Sequence, residues 1–205
     1  MKKLLFAFVT LAFLLAFTPA ETADNITKKE RKAALNYLKS TKKDLLKAVK
    51  GLSAAQLNFK ASPERWSIAE CLEHITLAEM GLWQMYQGSM QQPADAAKRV
   101  DIKVSNEQII KGLTDRSQKA TAPEVAVPKG TFQNYAATFA AFTKSRDGLI
   151  QYFETTTDDL KNHTLQHPIF GTIDARQFLL SLAAHGKRHT LQIEELKAHP
   201  NFPRE

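Results

Sequence analysis

Two histidines stand one helical turn apart near the end of the chain, in Leu182-Ala-Ala-His185-Gly-Lys-Arg-His189-Thr-Leu-Gln-Ile193. A third, His74, lies far upstream in Trp66-Ser-Ile-Ala-Glu-Cys-Leu-Glu-His74-Ile75. Residues at i and i+4 of a helix stack on one face, so His185 and His189 can grip one ion between them. An imidazole from a neighbouring helix would complete three nitrogen ligands and leave a coordination position open, the arrangement of a working metal rather than a structural one. On a helical wheel counted from Phe178, Leu182, His185, His189, Gln192 and Leu196 all fall within about 40° of one line. The pair therefore sits mid-stripe on an apolar face, where two imidazoles are costly unless each finds a partner. A shared ion satisfies both. The competing explanation is a pair of core histidines bonded to backbone or to acids of other helices.

Other chemistry-bearing residues give weaker signals. His74 shares a helical line with Ala78, Gly81 and Met85, which leaves room beside it for an ion or ligand. Cys71, three residues before His74, could offer a thiolate, but Ile68, Leu72 and Ile75 around it mark a buried small hydrophobe. Glu73, next to His74, is a candidate for orienting a ligand or for a general base. No residue can be named as catalytic. His163 and His167 straddle a connector and read as turn residues rather than ligands, and His199 as a cation at a helix end. No GxSxG, P-loop, GxGxxG or HExxH pattern occurs, so the common hydrolase, nucleotide-binding and zincin readings find no support.

These residues need helices to position them, and helical periodicity dominates the chain. Thr27-Lys-Lys-Glu30 has capping-box spacing and predicts a helix to about Lys50, closed by Gly51. Residues 52–65 read as a loop. Ser67-Ile-Ala-Glu70 caps a second helix that runs to about Met90. Residues 91–130, punctuated by Pro93, Pro123 and Pro128, form a long crossover in which 105–120 could carry a short helix. A third long helix is expected from near Thr131 to about Thr156, with Phe132, Phe139, Phe142, Leu149 and Phe153 buried. His167-Pro-Ile-Phe-Gly171 is a connector, and Asp174-Ala-Arg-Gln177 caps a fourth helix ending before Pro200. The fold expected is all-α, a four-helix bundle with a long crossover between helices 2 and 3. Bundle cores commonly build metal sites from facing helices.

The bulk numbers bound the setting. Lys2 and Lys3 precede an uninterrupted apolar run, Leu4 to Phe17, followed by Thr18-Pro-Ala20, the layout of a secretory signal peptide over 1–20. That run is short of the ~20 residues that span a bilayer. The expectation is a periplasmic or secreted protein with no stable membrane anchor after cleavage. Cleavage would take the formal charge from +7 to +5. The lysines are spread over every segment and no stretch interleaves basic with aromatic residues, so the charge reads as a solvated exterior and not a nucleic-acid surface. Cys71 is the only cysteine, so no intrachain disulfide can form, and 43% apolar residues must supply the core.

Three segments in this order, Trp66 to Ile75, His167-Pro168-Ile169-Phe170-Gly171, and His185 to Ile193, resemble the DinB-like family of four-helix-bundle metalloproteins. The resemblance covers roughly Thr27 to Pro203. It implies a left-handed bundle holding a divalent metal ion, usually zinc or nickel, on His74, His185 and His189, and frequent homodimers. Ligands alone do not choose among zinc, nickel, iron and copper. Characterised relatives include S-transferases and isomerases that use low-molecular-weight thiols, and many others are described as metal-dependent hydrolases. An exported start departs from the compartment where such thiols abound. The expectation is an exported, metal-dependent hydrolase or transferase acting on a small molecule. The alternative is a non-catalytic bundle that binds metal or a small ligand.

Overall fold

Each helix begins where a side chain can satisfy its unpaired amides. In the computed structural model, which describes residues 26–119 and 121–204, α1 spans Lys28–Val49, α2 Ala54–Asn58, α3 Ile68–Ser89, α4 Asn106–Thr114, α5 Tyr135–Thr155 and α6 Ala175–Lys197. The signal peptide expected at 1–20 lies outside the described residues. Reciprocal capping boxes start α1 (Thr27 with Glu30), α2 (Ser53 with Gln56), α3 (Ser67 with Glu70), α4 (Ser105 with Gln108) and α6 (Asp174 with Gln177). Asn134 caps α5 alone, accepting from the Ala137 amide at 2.9 Å. The four long helices expected are present. α6 packs on α1, α3 and α4, and α3 also packs on α5.

The departures are local. The stretch expected as a loop at 52–65 contains the short α2. The crossover helix stops at Thr114 rather than running towards 120, because the Asp115 carboxylate turns back to accept from the Ser117 amide at 2.8 Å. α5 starts at Tyr135 and not near Thr131, whose amide donates to Glu73 at 2.7 Å instead of entering the helix. The connector at 167–171 is the turn of a β-hairpin, β1 (Thr164–His167) paired antiparallel with β2 (Gly171–Asp174). Gly171 turns it with φ of +67°, a conformation that glycine adopts without strain. Among the described residues, no helix is long and apolar enough to cross a membrane.

Two apolar clusters fill the bundle. One gathers Leu38, Tyr86, Leu149, Phe153, Phe178 and Leu182; the other Leu45, Ile68, Leu72, Ile75, Phe142 and Ile193. Along every long helix the residues between these clusters are polar: Thr41 on α1, Glu79 on α3, Arg146 on α5, and His185 and His189 on α6. Arg146 crosses this layer, fully buried. Its Nε donates to Glu79 Oε2 at 2.8 Å, its Nη2 donates to the same oxygen, and its Nη1 donates to Thr41 Oγ1 at 3.0 Å. The histidines belong to a polar belt across the middle of the core.

Candidate metal centre

α3 and α6 bring His74, His185 and His189 together, with one ring nitrogen from each lying within 4.8 Å of the others. His74 Nε2 stands 3.2 Å from His185 Nε2. Two nitrogens bound tetrahedrally at about 2.0–2.1 Å from zinc stand roughly 3.3 Å apart, so this spacing suits a shared ion. The ring centroids lie 4.5 to 5.1 Å apart and are set edge to face. His74 and His189 are buried, whereas His185 keeps partial exposure and marks the open side.

The second nitrogen of two of the rings is committed, which fixes the tautomer. His74 Nδ1 faces the Ala126 carbonyl at 2.7 Å; a carbonyl only accepts, so the proton sits on Nδ1 and the Nε2 lone pair is free. His189 Nδ1 likewise donates to Gln192 Oε1 at 2.9 Å, freeing its Nε2. Two unprotonated ring nitrogens, each backed by an acceptor on the far side of its ring, are ligands of the kind a divalent ion needs. Trp66 covers the site from one side, its ring 4.6 Å from that of His74 and 6.1 Å from that of His189.

The electrostatics agree. Burial pushes all three imidazoles below the ordinary histidine range, His185 to about 3 and His189 to about 2. Proximity of the other rings lowers His185 and His189 further. The cluster is neutral at physiological pH, as metal ligation requires.

The remaining sequence candidates stand apart. Cys71 is buried, and burial pushes its thiol up to about 12, so it packs as a small hydrophobe. Glu73 does not orient His74. Its carboxylate accepts from the backbone amides of Lys129 (3.2 Å), Gly130 (3.2 Å) and Thr131 (2.7 Å), where the crossover turns into α5. The Gly81 and Met85 end of the His74 line emerges at the surface rather than enclosing a cavity. His163 holds the carbonyls of Asp159 and Gln92, each at 2.8 Å. His167, at the hairpin tip, accepts from the Ile169 amide at 3.1 Å. His199 accepts from the Asn201 amide at 3.2 Å.

Sequence reasoning missed the Ala126 carbonyl, 52 residues from its histidine, and the covering role of Trp66. The Gln192 contact had a signal, since residues at i and i+3 of a helix are neighbours.

Comparisons with known proteins agree with the fold. A family model described as the DinB superfamily matches residues 37–193. An uncharacterized protein, YuaE of Bacillus subtilis (strain 168), is 29% identical over 149 residues, which cover 73% of this chain and 88% of YuaE. Among solved structures, YfiT from Bacillus subtilis, described as a probable metal-dependent hydrolase with an unusual four-helix bundle topology, superposes with a TM-score of 0.57 at 16% identity. That match covers 85% of this chain and 90% of YfiT and carries the fold.

Proposed function

We propose, starting from the fact that the chain belongs to the DinB superfamily, that it holds one divalent metal ion on His74, His185 and His189 and acts on a small molecule as a hydrolase or transferase. The observation that carries this reading is the convergence of three ring nitrogens, two of them with lone pairs freed by acceptors at Nδ1. The description of YfiT as a probable metal-dependent hydrolase supports it. When bound, such an ion supplies Lewis acidity and lowers the pKa of a water or thiol at its open position. The chain's own residues do the rest. Ala126 and Gln192 orient two ligand rings, Trp66 shields them from water, and the partly exposed His185 edge leaves the approach for a substrate. Zinc and nickel are the first ions to try.

Export to the periplasm or exterior belongs to the same proposal and draws on the basic, apolar and small-residue layout of 1–20. A homodimer is proposed from family membership alone. A non-catalytic metal- or ligand-binding bundle remains the second reading, and one observation favours it: Glu73, the acid next to His74, is engaged with backbone and does not serve the site.

Elemental analysis of the purified protein beside His74→Ala and His189→Ala tests the metal claim. About one divalent ion per chain, lost in both variants, is the expected result. No uptake by any of the three after loading with zinc or nickel would end it. Tight metal without turnover across ester, amide, phosphoester and thiol-transfer panels would select the second reading.

A further inference from the structure

The crossover between α3 and α5 reaches the three histidines from both of its limbs. Its return limb supplies the Ala126 carbonyl that holds His74 Nδ1. Its outgoing limb is fastened to α6 on either side of His189. Arg188 donates through Nη1 to the carbonyls of Leu113 (3.3 Å) and Asp115, and through Nη2 to that of Gln118 at 2.5 Å. Arg116 grips Glu195 with two parallel bonds, Nε to Oε1 at 2.8 Å and Nη2 to Oε2 at 2.6 Å. Its remaining Nη1 donates at 3.4 Å to Gln192 Oε1, the oxygen that also accepts from His189 Nδ1.

Resting on the metal reading above, we propose that Arg116 is a positioning residue for His189 and that docking of the crossover is coupled to binding of the divalent ion. The reason lies in the Gln192 amide. An amide presents an acceptor on one side and donors on the other, and only the acceptor face holds His189 in the tautomer with a free Nε2. A guanidinium has donors alone, so Arg116 pins the oxygen inward. Without it the amide is free to rotate and offer its NH2 group to Nδ1, which moves the ring proton to Nε2 and closes the ligand. The return limb acts on His74 in the same sense, because the Ala126 carbonyl admits one tautomer. Binding an ion to the free Nε2 atoms therefore favours the docked crossover, and by linkage the docked crossover favours the ion to the same degree.

The test is the zinc affinity of the purified protein, measured by competition with a chromogenic chelator, for the parent, Arg116→Met, Gln192→Glu and the double variant. Partners behind metal ligands are worth about 10–100-fold in affinity, so Arg116→Met should weaken zinc by about 10-fold or more. The Arg116–Glu195 pair is half exposed on the glutamate side, so the metal-free melting temperature should move by less than about 4 °C. Gln192→Glu replaces the amide by a carboxylate, which only accepts, and should restore affinity in the Arg116→Met background; a merely structural arginine would not be rescued this way. Zinc should also slow amide exchange over 113–118 and 124–131 in the parent. Equal zinc affinity in the parent and Arg116→Met, failure of the rescue, or no change in exchange overturns the coupling and leaves the metal reading standing. A parent that takes up no zinc overturns both.

Discussion

Arg146 fills the space that a side chain at position 186 would need: a Cβ built on Gly186 would stand 3.1 Å from the Arg146 Nη2. The neighbour of a candidate ligand is therefore glycine because a buried guanidinium passes beneath it. In an ordinary helix interior, glycine to alanine stabilises by about 1 kcal/mol. Here Arg146 is tied to Glu79 and Thr41 and cannot move aside freely. Gly186→Ala should forfeit that gain and lose about 1 kcal/mol net, read from the urea midpoint at constant slope.

The same arginine sets a second expectation. Arg146 and Glu79 are 1% and 2% exposed, and Glu79 Oε1 has no hydrogen-bond partner among the described residues. Removing one member strands a buried charge, at a cost of about 3–5 kcal/mol. Arg146→Met alone should fall in that range, whereas Arg146→Met with Glu79→Leu should recover most of it. Chemical denaturation of the parent, the two single variants and the double variant at pH 7 decides this, and an additive double variant would contradict it.

The metal-free protein should weaken as pH falls below neutrality. Burial holds His74, His185 and His189 below their unfolded value of about 6.5. The folded state then binds fewer protons than the unfolded one, so the histidines' stabilisation is whole above about pH 6.5 and is lost as pH drops from there towards about 3. The slope is at most about 1.4 kcal/mol per pH unit for each histidine. Asp174, whose carboxyl burial pushes up, acts in the opposite sense at lower pH, so the comparison belongs between pH 8 and 5. Urea midpoints over this range should fall less for His189→Ala than for the parent. Equal slopes would contradict the assignment.

Glu73 bears on stability directly and on metal binding only through the crossover. Its carboxylate accepts three backbone amides at the foot of the crossover and touches no ligand ring. Glu73→Gln should cost about 1–3 kcal/mol, the worth of charge-assisted bonds to a buried carboxylate, while zinc affinity, which Glu73 reaches only through docking of the return limb, should fall less than in Arg116→Met. A large loss of affinity at unchanged stability would return Glu73 to the site.

Much of this was legible in the sequence because its signals are local. Thr27 to Glu30, Ser67 to Glu70 and Asp174 to Gln177 announce helix starts within four residues, and His185 with His189 announces a ligand pair within five. What was not legible spans the fold. Glu73 meets its amides 56 to 58 residues away, His74 its carbonyl 52 away, and Arg146 its carboxylate 67 away. The hairpin escaped notice because each strand has four residues, too few to establish an alternation. Arg146 did leave a trace. It stands four residues after Phe142 and three before Leu149, a charge in the line of an apolar stripe, and a charge there demands a buried partner.

The most direct test of the central claim is X-ray absorption fine structure on the zinc- or nickel-loaded protein. Three imidazole nitrogens should scatter at about 2.0–2.1 Å in the parent, and His74→Ala, loaded and desalted in the same way, should keep no such signal. A metal whose shell lacks imidazole scattering, or is the same in His74→Ala as in the parent, would contradict it.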